Sequence, residues 1–206
     1  MTAILGSNGS GKSNFVKAMS FLTEFVEDSA KDRQIDSPID IHPFAYDPEW
    51  RDSPTEIEVV FVHNETLYQY GIIADRNRVF DEWLFENPST KDTRLRRIFT
   101  RSYDEKSDSY DWYLNKTHMR GERESWKNST RSNALFLSTA VQLNSADLRA
   151  PYEWLVKNLQ VVEDVSRLGE GFSVKQFLDD GRKEEIIALM NAADVPLEDL
   201  NIEVGD

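Results

Sequence analysis

The chain has 206 residues and a formal net charge of −13, which fits one compact domain or two small ones. It contains no cysteine, which excludes a disulfide scaffold, thiolate metal sites and thiol catalysis. Its 37 acidic residues against 24 basic ones argue against a protein that coats nucleic acid with its whole surface. The longest apolar run, 186–190, is far shorter than the roughly 20 residues of a membrane span, and the first residues lack the basic region of a signal peptide. We therefore expect a cytoplasmic protein without membrane attachment.

A glycine-rich motif lies close to the start of the chain. Residues 2–5 predict a short strand, and residues 6–13 match the P-loop pattern G-x-x-x-x-G-K-[ST] without a mismatch. A helix is predicted directly after the motif, because Phe15, Met19, Leu22 and Val26 are spaced as on one helical face. A strand before the loop and a helix after it form the context in which this motif holds phosphates.

Each position of the motif has a physical reason. The three glycines permit backbone angles and a close approach that a Cβ atom would prevent, so successive N–H groups can point at a phosphate beside the positive end of the helix dipole. Lys12 would reach the β- and γ-phosphates as a catalytic residue, and the Ser13 hydroxyl would coordinate Mg²⁺. The predicted nucleotide-binding residues are Gly6, Asn8, Gly9, Ser10, Gly11, Lys12, Ser13 and Asn14.

A polar excursion and then a set of short strands follow the first helix. Four prolines between positions 38 and 54 prevent a useful helix in residues 27–54. The hydrophobic period then changes to two in five segments that are rich in β-branched and aromatic residues. Short polar connections of hairpin length separate the early segments, so the pattern predicts an antiparallel meander. The predicted strands are 55–62, 66–74, 78–86, 95–102 and 109–114.

The remaining elements are predicted from shorter patterns. An apolar run at 134–140 is read as a core strand, with helices predicted over 152–159 and 182–192. Alternating residues at 199–204 predict a final strand. The three histidines, His42, His63 and His118, lie far apart without metal-ligand spacing, so no metal site is expected among them.

The stretch 91–131 has an unusual charge for this chain. It carries a net charge of +4, which leaves −17 on the rest of the sequence. One interpretation is a strand with a solvated basic face, and the other is a docking strip for phosphate, nucleic acid or an acidic partner. We favour the solvated face, and nucleic acid is therefore a possible but not a favoured partner.

Four stretches of the sequence resemble a known group of proteins. They resemble the N-terminal half of the AAA-family, ABC-like ATPases of bacterial abortive-infection and antiphage systems, which are related to the OLD-type and retron-associated ATPases. The P-loop is specific by itself, and the other stretches support it by their order along nearly the whole chain. The four stretches are residues 9–18, 82–85, 134–138 and 197–202.

The resemblance implies an α/β fold with a P-loop core and an antiparallel β-meander, as in the N-terminal lobe of an ABC- or SMC-like head. It implies ATP as the nucleotide, with Mg²⁺, because a phosphate cradle alone does not distinguish ATP from GTP. It further implies that two complete heads sandwich the nucleotide as a homo-oligomer and that their cycle controls an effector in antiphage defence. We expect a single lobe over residues 1–206, made of a P-loop strand and helix (1–26), the meander (55–114) and a mixed region (134–206).

The resemblance also assigns a role to Gln142 and leaves other parts of the catalytic machinery without candidates. In ABC-type heads, a glutamine after a core strand reaches Mg²⁺ and the attacking water, and Gln142 follows the predicted strand in that manner; the alternative is a solvent-facing glutamine. Asp75, the pair Asp81-Glu82 and the pair Glu163-Asp164 imitate a Walker B site, but strand ends entering turns explain them more simply. A loop at 168–171 is only a distant match to the signature motif. We therefore expect a fragment of a longer head, which binds ATP but hydrolyses it only when completed by a C-terminal half.

Two other function classes remain open at this point. A catalytically silent lobe could serve mainly as a nucleotide-binding interaction scaffold. A small P-loop kinase would instead continue with parallel strands and an arginine-bearing lid, which the predicted antiparallel meander disfavours.

Overall fold

A computed structural model describes residues 4, 7–31, 34, 37–42, 53–88, 94–161, 183–192 and 198. The chain divides into two compact units, Met1–Val161 and Val162–Asp206. In the first unit, helix α1 spans Lys12–Asp28, and five strands follow it. These are β1 (Thr55–His63), β2 (Thr66–Ala74), β3 (Val79–Asn87), β4 (Arg96–Asp104) and β5 (Ser109–Leu114).

Helices follow the strands in the first unit, and a further helix lies in the second. They are α2 (Arg123–Ser129), α3 (Phe136–Gln142) and α4 (Arg149–Glu153), which runs into a π-helical turn at Trp154–Asn158. In the second unit, the structure describes helix α5 (Lys183–Ala192). Among the described residues, we find no helix with the length and apolar character that crossing a membrane requires.

The five strands form one antiparallel sheet in the order β1-β2-β3-β4-β5, so the predicted meander is confirmed. The turn between β1 and β2 has only two residues, Asn64 and Glu65, and both have positive φ angles of 48° and 59°. That conformation is typical of the tight hairpin turn whose twist matches the twist of the strands. The turn fixes the register from Thr66 opposite His63 to Ala74 opposite Thr55.

One face of the sheet forms the core of the first unit. Alternate residues of β1 and β2 are buried on this face, among them Ile57, Phe61, Tyr70 and Ile72. The C-terminal half of α1, helix α3 and the π-helical turn contribute to the same cluster of buried side chains. The ring of Trp154, in the π-helical turn, lies parallel to that of Phe61 with 3.9 Å between the ring centroids.

One sequence prediction about an individual element is wrong, and the details of two others differ from the structure. The apolar run at 134–140 is not a strand, because residues 136–142 form helix α3. The helix predicted after the motif is confirmed as α1, although 54% of the surface of Phe15 is exposed, whereas Leu22 and Val26 are fully buried. The helix predicted over 152–159 begins earlier, at Arg149, and ends as a π-helical turn at Asn158.

Of the remaining predicted elements, one is confirmed and two lie outside the described residues. The helix predicted over 182–192 is confirmed as α5. The predicted strand at 199–204 lies outside the described residues, as does the strand at 2–5 apart from Ile4, and their structure stays a prediction. The fold is mixed α/β with an antiparallel sheet.

Candidate functional site

The P-loop residues 7–11 form a turn that leads directly into the first residue of α1. Gly9 and Gly11 have φ angles of +80° and +87°, and Gly11 is the N-cap of the helix. A Cβ atom at either position would meet no other atom within 4 Å, so backbone conformation rather than crowding requires glycine there. The Ser10 N–H donates to the Ser7 carbonyl at 3.3 Å, which closes the turn.

The beginning of α1 carries backbone N–H groups that take no part in the repeating hydrogen-bond pattern of the helix. The first hydrogen bond of the helix runs from the Phe15 N–H to the Gly11 carbonyl at 3.0 Å. The N–H groups of Lys12, Ser13 and Asn14 therefore precede the repeating pattern of the helix and point out of its N-terminal end. The first turn contains no acidic side chain, and no side chain caps it. The positive end of the helix dipole is thus open to an anionic ligand.

The Lys12 side chain lies over the loop. Its Nζ atom donates to the Ser7 carbonyl at 2.6 Å and lies 3.4 Å from the Ser10 hydroxyl oxygen. The ammonium group is thereby held against the turn of residues 7–10. Ser13 and Asn14 are exposed at the start of the helix. This set of donors, with one cation and one hydroxyl, fits the phosphates of a nucleotide and a Mg²⁺ ion. Gly6 lies outside the described residues.

The opposite end of α1 is fastened to the rest of the unit by three polar contacts. The Ser138 hydroxyl donates to the Val26 carbonyl at 2.6 Å, and the Leu135 N–H donates to the Ser29 hydroxyl oxygen at 3.2 Å. The Arg131 guanidinium donates to the Ser29 carbonyl at 3.1 Å. The segment 131–138 therefore holds the C-terminal end of the P-loop helix, while the loop itself remains exposed.

A buried carboxylate connects this segment to the sheet. Glu82, on β3, is fully buried and accepts hydrogen bonds from the N–H groups of Phe136 (2.7 Å) and Leu137 (3.0 Å) at the start of α3. It also accepts from the Tyr70 hydroxyl at 3.1 Å. The Arg101 Nε atom lies 3.2 Å from Glu82 but is not directed for a hydrogen bond, so this contact is purely Coulombic.

Arg101 also connects the sheet to the segment 131–138. Its guanidinium donates to the carbonyl of Ala134 at 2.6 Å and to that of Arg131 at 3.4 Å. Burial raises the pKa of Glu82, against the opposing effects of Arg101 and the two helix N–H groups, and burial also raises the pKa of Tyr70 well above its usual value. Two stretches of the sequence resemblance, 82–85 and 134–138, thus meet at one carboxylate. Sequence reasoning missed this role, although an acid and an arginine at inward positions of paired strands were readable signals.

The residues that imitate a Walker B site have other partners in the structure. The Asp75 carboxylate accepts from the N–H groups of Asn77 (2.7 Å) and Arg78 (2.8 Å), so it stabilises the turn between β2 and β3. Glu82 accepts the hydrogen bonds described above and lies against Arg101. Its neighbour Asp81 is half-buried on the other face of β3. The 163–164 and 168–171 segments lie outside the described residues. Among the described residues, no group of three or more metal-binding side chains comes together.

The structure corrects the argument for Gln142. This residue does not follow a strand, because it is the last residue of helix α3. Its side chain is exposed and forms no hydrogen bond with another described residue. The Mg²⁺ role of Gln142 therefore loses the structural premise on which it was based.

Comparison with known proteins agrees with the P-loop assignment. A family model described as "AAA domain, putative AbiEii toxin, Type IV TA system" matches residues 1–199. No curated protein and no solved structure matches the chain. The family match covers nearly the whole sequence, including the loop whose geometry is described above. The chain therefore belongs to this AAA-domain family of P-loop ATPases.

Proposed function

We propose that this chain binds MgATP through residues 6–13 and the first turn of α1. The observation that carries the proposal is the exposed turn in which Gly9 and Gly11 adopt positive φ angles immediately before the start of α1. The N–H groups of the loop and of the first turn would hold the β-phosphate, and Lys12 would neutralise charge on the β- and γ-phosphates. The Ser13 hydroxyl would hold Mg²⁺, which supplies further neutralisation of phosphate charge when bound.

A titration with MgATP tests this proposal on the chain of residues 1–206. Replacing Lys12 with Ala removes the only cation of the proposed cradle, and we expect nucleotide binding to weaken by about 2–4 kcal/mol. This corresponds to an increase in Kd of roughly 30-fold to 1000-fold, measured by isothermal titration calorimetry.

Lys17→Ala is the matched control. Lys17 is an exposed lysine on the same helix, five positions beyond Lys12. Its removal changes the net charge equally but leaves the loop intact, so affinity should stay at the wild-type value. Equal MgATP affinity in Lys12→Ala and the wild type, with unchanged circular dichroism spectra, would contradict the P-loop assignment.

We further propose that ATP hydrolysis belongs to a complete ABC-like head, of which this chain is the N-terminal lobe. The acidic side chains that imitate a Walker B site support this view, because Asp75 stabilises a turn and Glu82 is buried against Arg101. Phosphoryl transfer depends on positioning and charge stabilisation, so a site without a water-orienting carboxylate should lose most of its acceleration. Gln142 is left out of this proposal.

Measurement of phosphate release distinguishes ATP hydrolysis by this chain alone from hydrolysis that requires a complete head. We expect the isolated chain to turn over no faster than background, and activity to appear when the C-terminal half of the same reading frame is added. That activity should be lost with Lys12→Ala. Lys12-dependent turnover by residues 1–206 alone would overturn the half-site proposal, while leaving MgATP binding intact.

The cellular role proposed for the complete protein is bacterial antiphage defence, with oligomeric heads controlling an effector. The sequence resemblance to abortive-infection ATPases supports it, and the matching family description names a toxin of a toxin–antitoxin system. Phage challenge of a host that carries the complete reading frame tests the idea. Protection that disappears with Lys12→Ala is the expected result, and equal plating efficiency with and without the reading frame would contradict it.

A further inference from the structure

A groove runs along the outer edge of β5, away from the P-loop motif. It has a volume of about 760 Å³ and is lined by residues 112–117 on one side and by residues 121–124 with Lys127 on the other. The first set consists of the last three residues of β5, 112–114, and the three residues that follow the strand. The second set is the beginning of α2 and the residues before it. The groove therefore lies between a sheet edge and a helix.

The sheet edge in this groove has hydrogen-bonding groups to offer. β5 is the last strand of the sheet, and it pairs on its inner side with β4. The Asn115 N–H donates to the Ile98 carbonyl at 2.9 Å, which identifies this pair as a hydrogen-bonded one. Hydrogen-bonded pairs alternate along an antiparallel ladder, so the backbone groups of Trp112 and Leu114 face away from β4. No described residue occupies these outward donors and acceptors.

The charge of the groove favours an acidic occupant. Lys116, Arg123 and Lys127 line it, against the two acidic residues Glu122 and Glu124. Glu124 is paired with Lys127, with 3.6 Å between the charged atoms. The lining residues belong to the sequence stretch 91–131, which has a net charge of +4 within a chain whose total is −13. An acidic ligand would therefore be repelled by most of this protein and attracted here.

The opposite edge of the sheet has the reverse character. β1 is the other outer strand, and its exposed side chains include Glu56 and Glu58 at the beginning of the strand. An acidic strand placed beside β1 would meet these carboxylates, and like charges on neighbouring strands are destabilising. Charge thus distinguishes the two edges of the same sheet for one kind of ligand.

We propose that the groove beside β5 binds an extended, acidic peptide segment of a partner protein, which adds to the sheet as a sixth strand. In this mode of recognition, hydrogen bonds to the outward groups of Trp112 and Leu114 supply affinity, and the flanking side chains supply selectivity. The cations of the groove select carboxylates on the peptide. The site is separate from nucleotide binding and does not depend on the proposed P-loop function.

Amide chemical shifts of the ¹⁵N-labelled chain test the location of binding. The probe is an acetylated and amidated octapeptide in which valine and threonine alternate with glutamate, titrated to about 1 mM, the range of weak affinities. We expect saturable shifts of the Trp112 and Leu114 amides, with those of Glu56 and Glu58 unchanged. No shifts, or shifts along β1 instead, would overturn the proposal.

Modified peptides test the mode of binding without altering the protein. N-methylation removes a backbone donor, and only alternate residues of an added strand face β5. Methylating one alternate set should abolish binding, while methylating the other set should leave it intact. Equal losses for both sets, or equal binding of both, would contradict strand addition.

Charge reversals test selectivity. Lys116→Glu should weaken binding of the acidic peptide about fivefold, the effect of one exposed charge contact. Lys106→Glu is the matched control, because Lys106 is equally exposed in the β4–β5 hairpin but does not line the groove. Equal effects of the two reversals would overturn the proposed site. Single-stranded DNA that displaces the peptide from the same amides would overturn the assignment of an acidic peptide as the ligand.

Discussion

The carboxylate of Glu82 shows how a single residue can hold several segments together. It joins β3 to the start of α3 through two backbone N–H groups and lies against the fully buried guanidinium of Arg101. Glu82→Ala would leave that guanidinium without its counter-charge and two helix donors without an acceptor. We expect the free energy of unfolding at pH 7 to fall by about 3–5 kcal/mol, measured by urea denaturation.

Glu86→Ala is the comparison on the same strand and the same face of the sheet. Glu86 is half-buried and lies 3.7 Å from Arg96, whose side chain is 30% exposed. Water can solvate both partners, so this replacement should cost about 1 kcal/mol or less. Similar losses for the two variants would show that Glu82 contributes no more than an ordinary ion pair.

The pKa of Glu82 gives a second prediction at this residue. Burial raises the pKa above 4.5, so the folded protein binds this proton more tightly than the unfolded chain does. The part of the stability that comes from this tighter proton binding is therefore fully present below about pH 4.5 and is lost as the pH rises through the folded pKa, whereas the contacts of the carboxylate with Arg101 and α3 remain at pH 7. The stability of the wild type relative to Glu82→Gln, which cannot titrate there, should decrease over this interval. Urea denaturation of both proteins at several pH values checks the sign, and a relative stability that increases with pH would contradict it.

At the level of elements, the pairing of β2 with β3 depends on a glycine. Trp83 lies opposite Gly71, and a Cβ atom at Gly71 would come within 2.1 Å of the Trp83 ring. The ring is held there by a hydrogen bond from Trp83 Nε1 to Glu58 at 2.8 Å. Gly71→Ala must displace the ring, and we expect a loss of about 1–3 kcal/mol of stability, measured by thermal or urea unfolding.

A double variant tests the cause of that loss. Trp83→Val removes the ring that the new methyl group would strike, so adding Gly71→Ala to Trp83→Val should cost much less than adding it to the wild type. Equal costs in the two backgrounds would show that strand conformation, rather than the Trp83 ring, determines the effect.

The strands were predictable from sequence, whereas α3 was not. The period-two pattern, rich in β-branched and aromatic residues, locates all five strands to within two residues. The apolar run at 134–140 has no such alternation, and a short buried helix and a short buried strand look alike when every side is covered. Five consecutive residues of α3, from Phe136 to Ala140, are buried in this way.

The candidate site was predictable in its local part only. The P-loop is a contiguous motif, so spacing alone identifies its residues. Glu82 acts through partners that are 54 and 55 positions away in sequence, and a single chain does not reveal such pairs before the strands are aligned. The exposure of Phe15 could not be predicted for the same reason. Its helical spacing is correct, but the N-terminal end of α1, where it lies, extends beyond the core.

At the scale of the molecule, the distribution of charge predicts little affinity for DNA. Arg96 contacts Glu86 and His118, and Arg97 stacks on Tyr113 with 3.7 Å between the guanidinium and the ring centroid. The sequence outside residues 91–131 has a net charge of −17, which repels DNA that comes within a Debye length, about 8 Å at physiological salt. We expect no shift of a labelled duplex by the micromolar chain in an electrophoretic assay.

The arginines provide the check on this expectation. A salt-sensitive shift would indicate that phosphates are neutralised, with a slope of about −0.9 per contact in the log–log plot. If that shift disappeared when Arg94, Arg96 and Arg97 were replaced with Ser, the interpretation of these three arginines as a solvated basic face would be wrong.

The residues that hold the C-terminal end of α1 come much later in the sequence, and this order affects how the chain folds during synthesis. The Ser138 hydroxyl that holds the Val26 carbonyl is 112 positions later in sequence. At about 5–20 residues per second, the ribosome needs on the order of 6–20 s to make that interval. Throughout it, the apolar side of the P-loop helix, with Leu22, Phe25 and Val26, emerges without its final neighbours. The meander, whose strands pair only with the strands adjacent in sequence, can form hairpin by hairpin while the helix waits. The nascent chain therefore exposes a hydrophobic segment, which chaperones can bind, for the whole interval before α1 is packed.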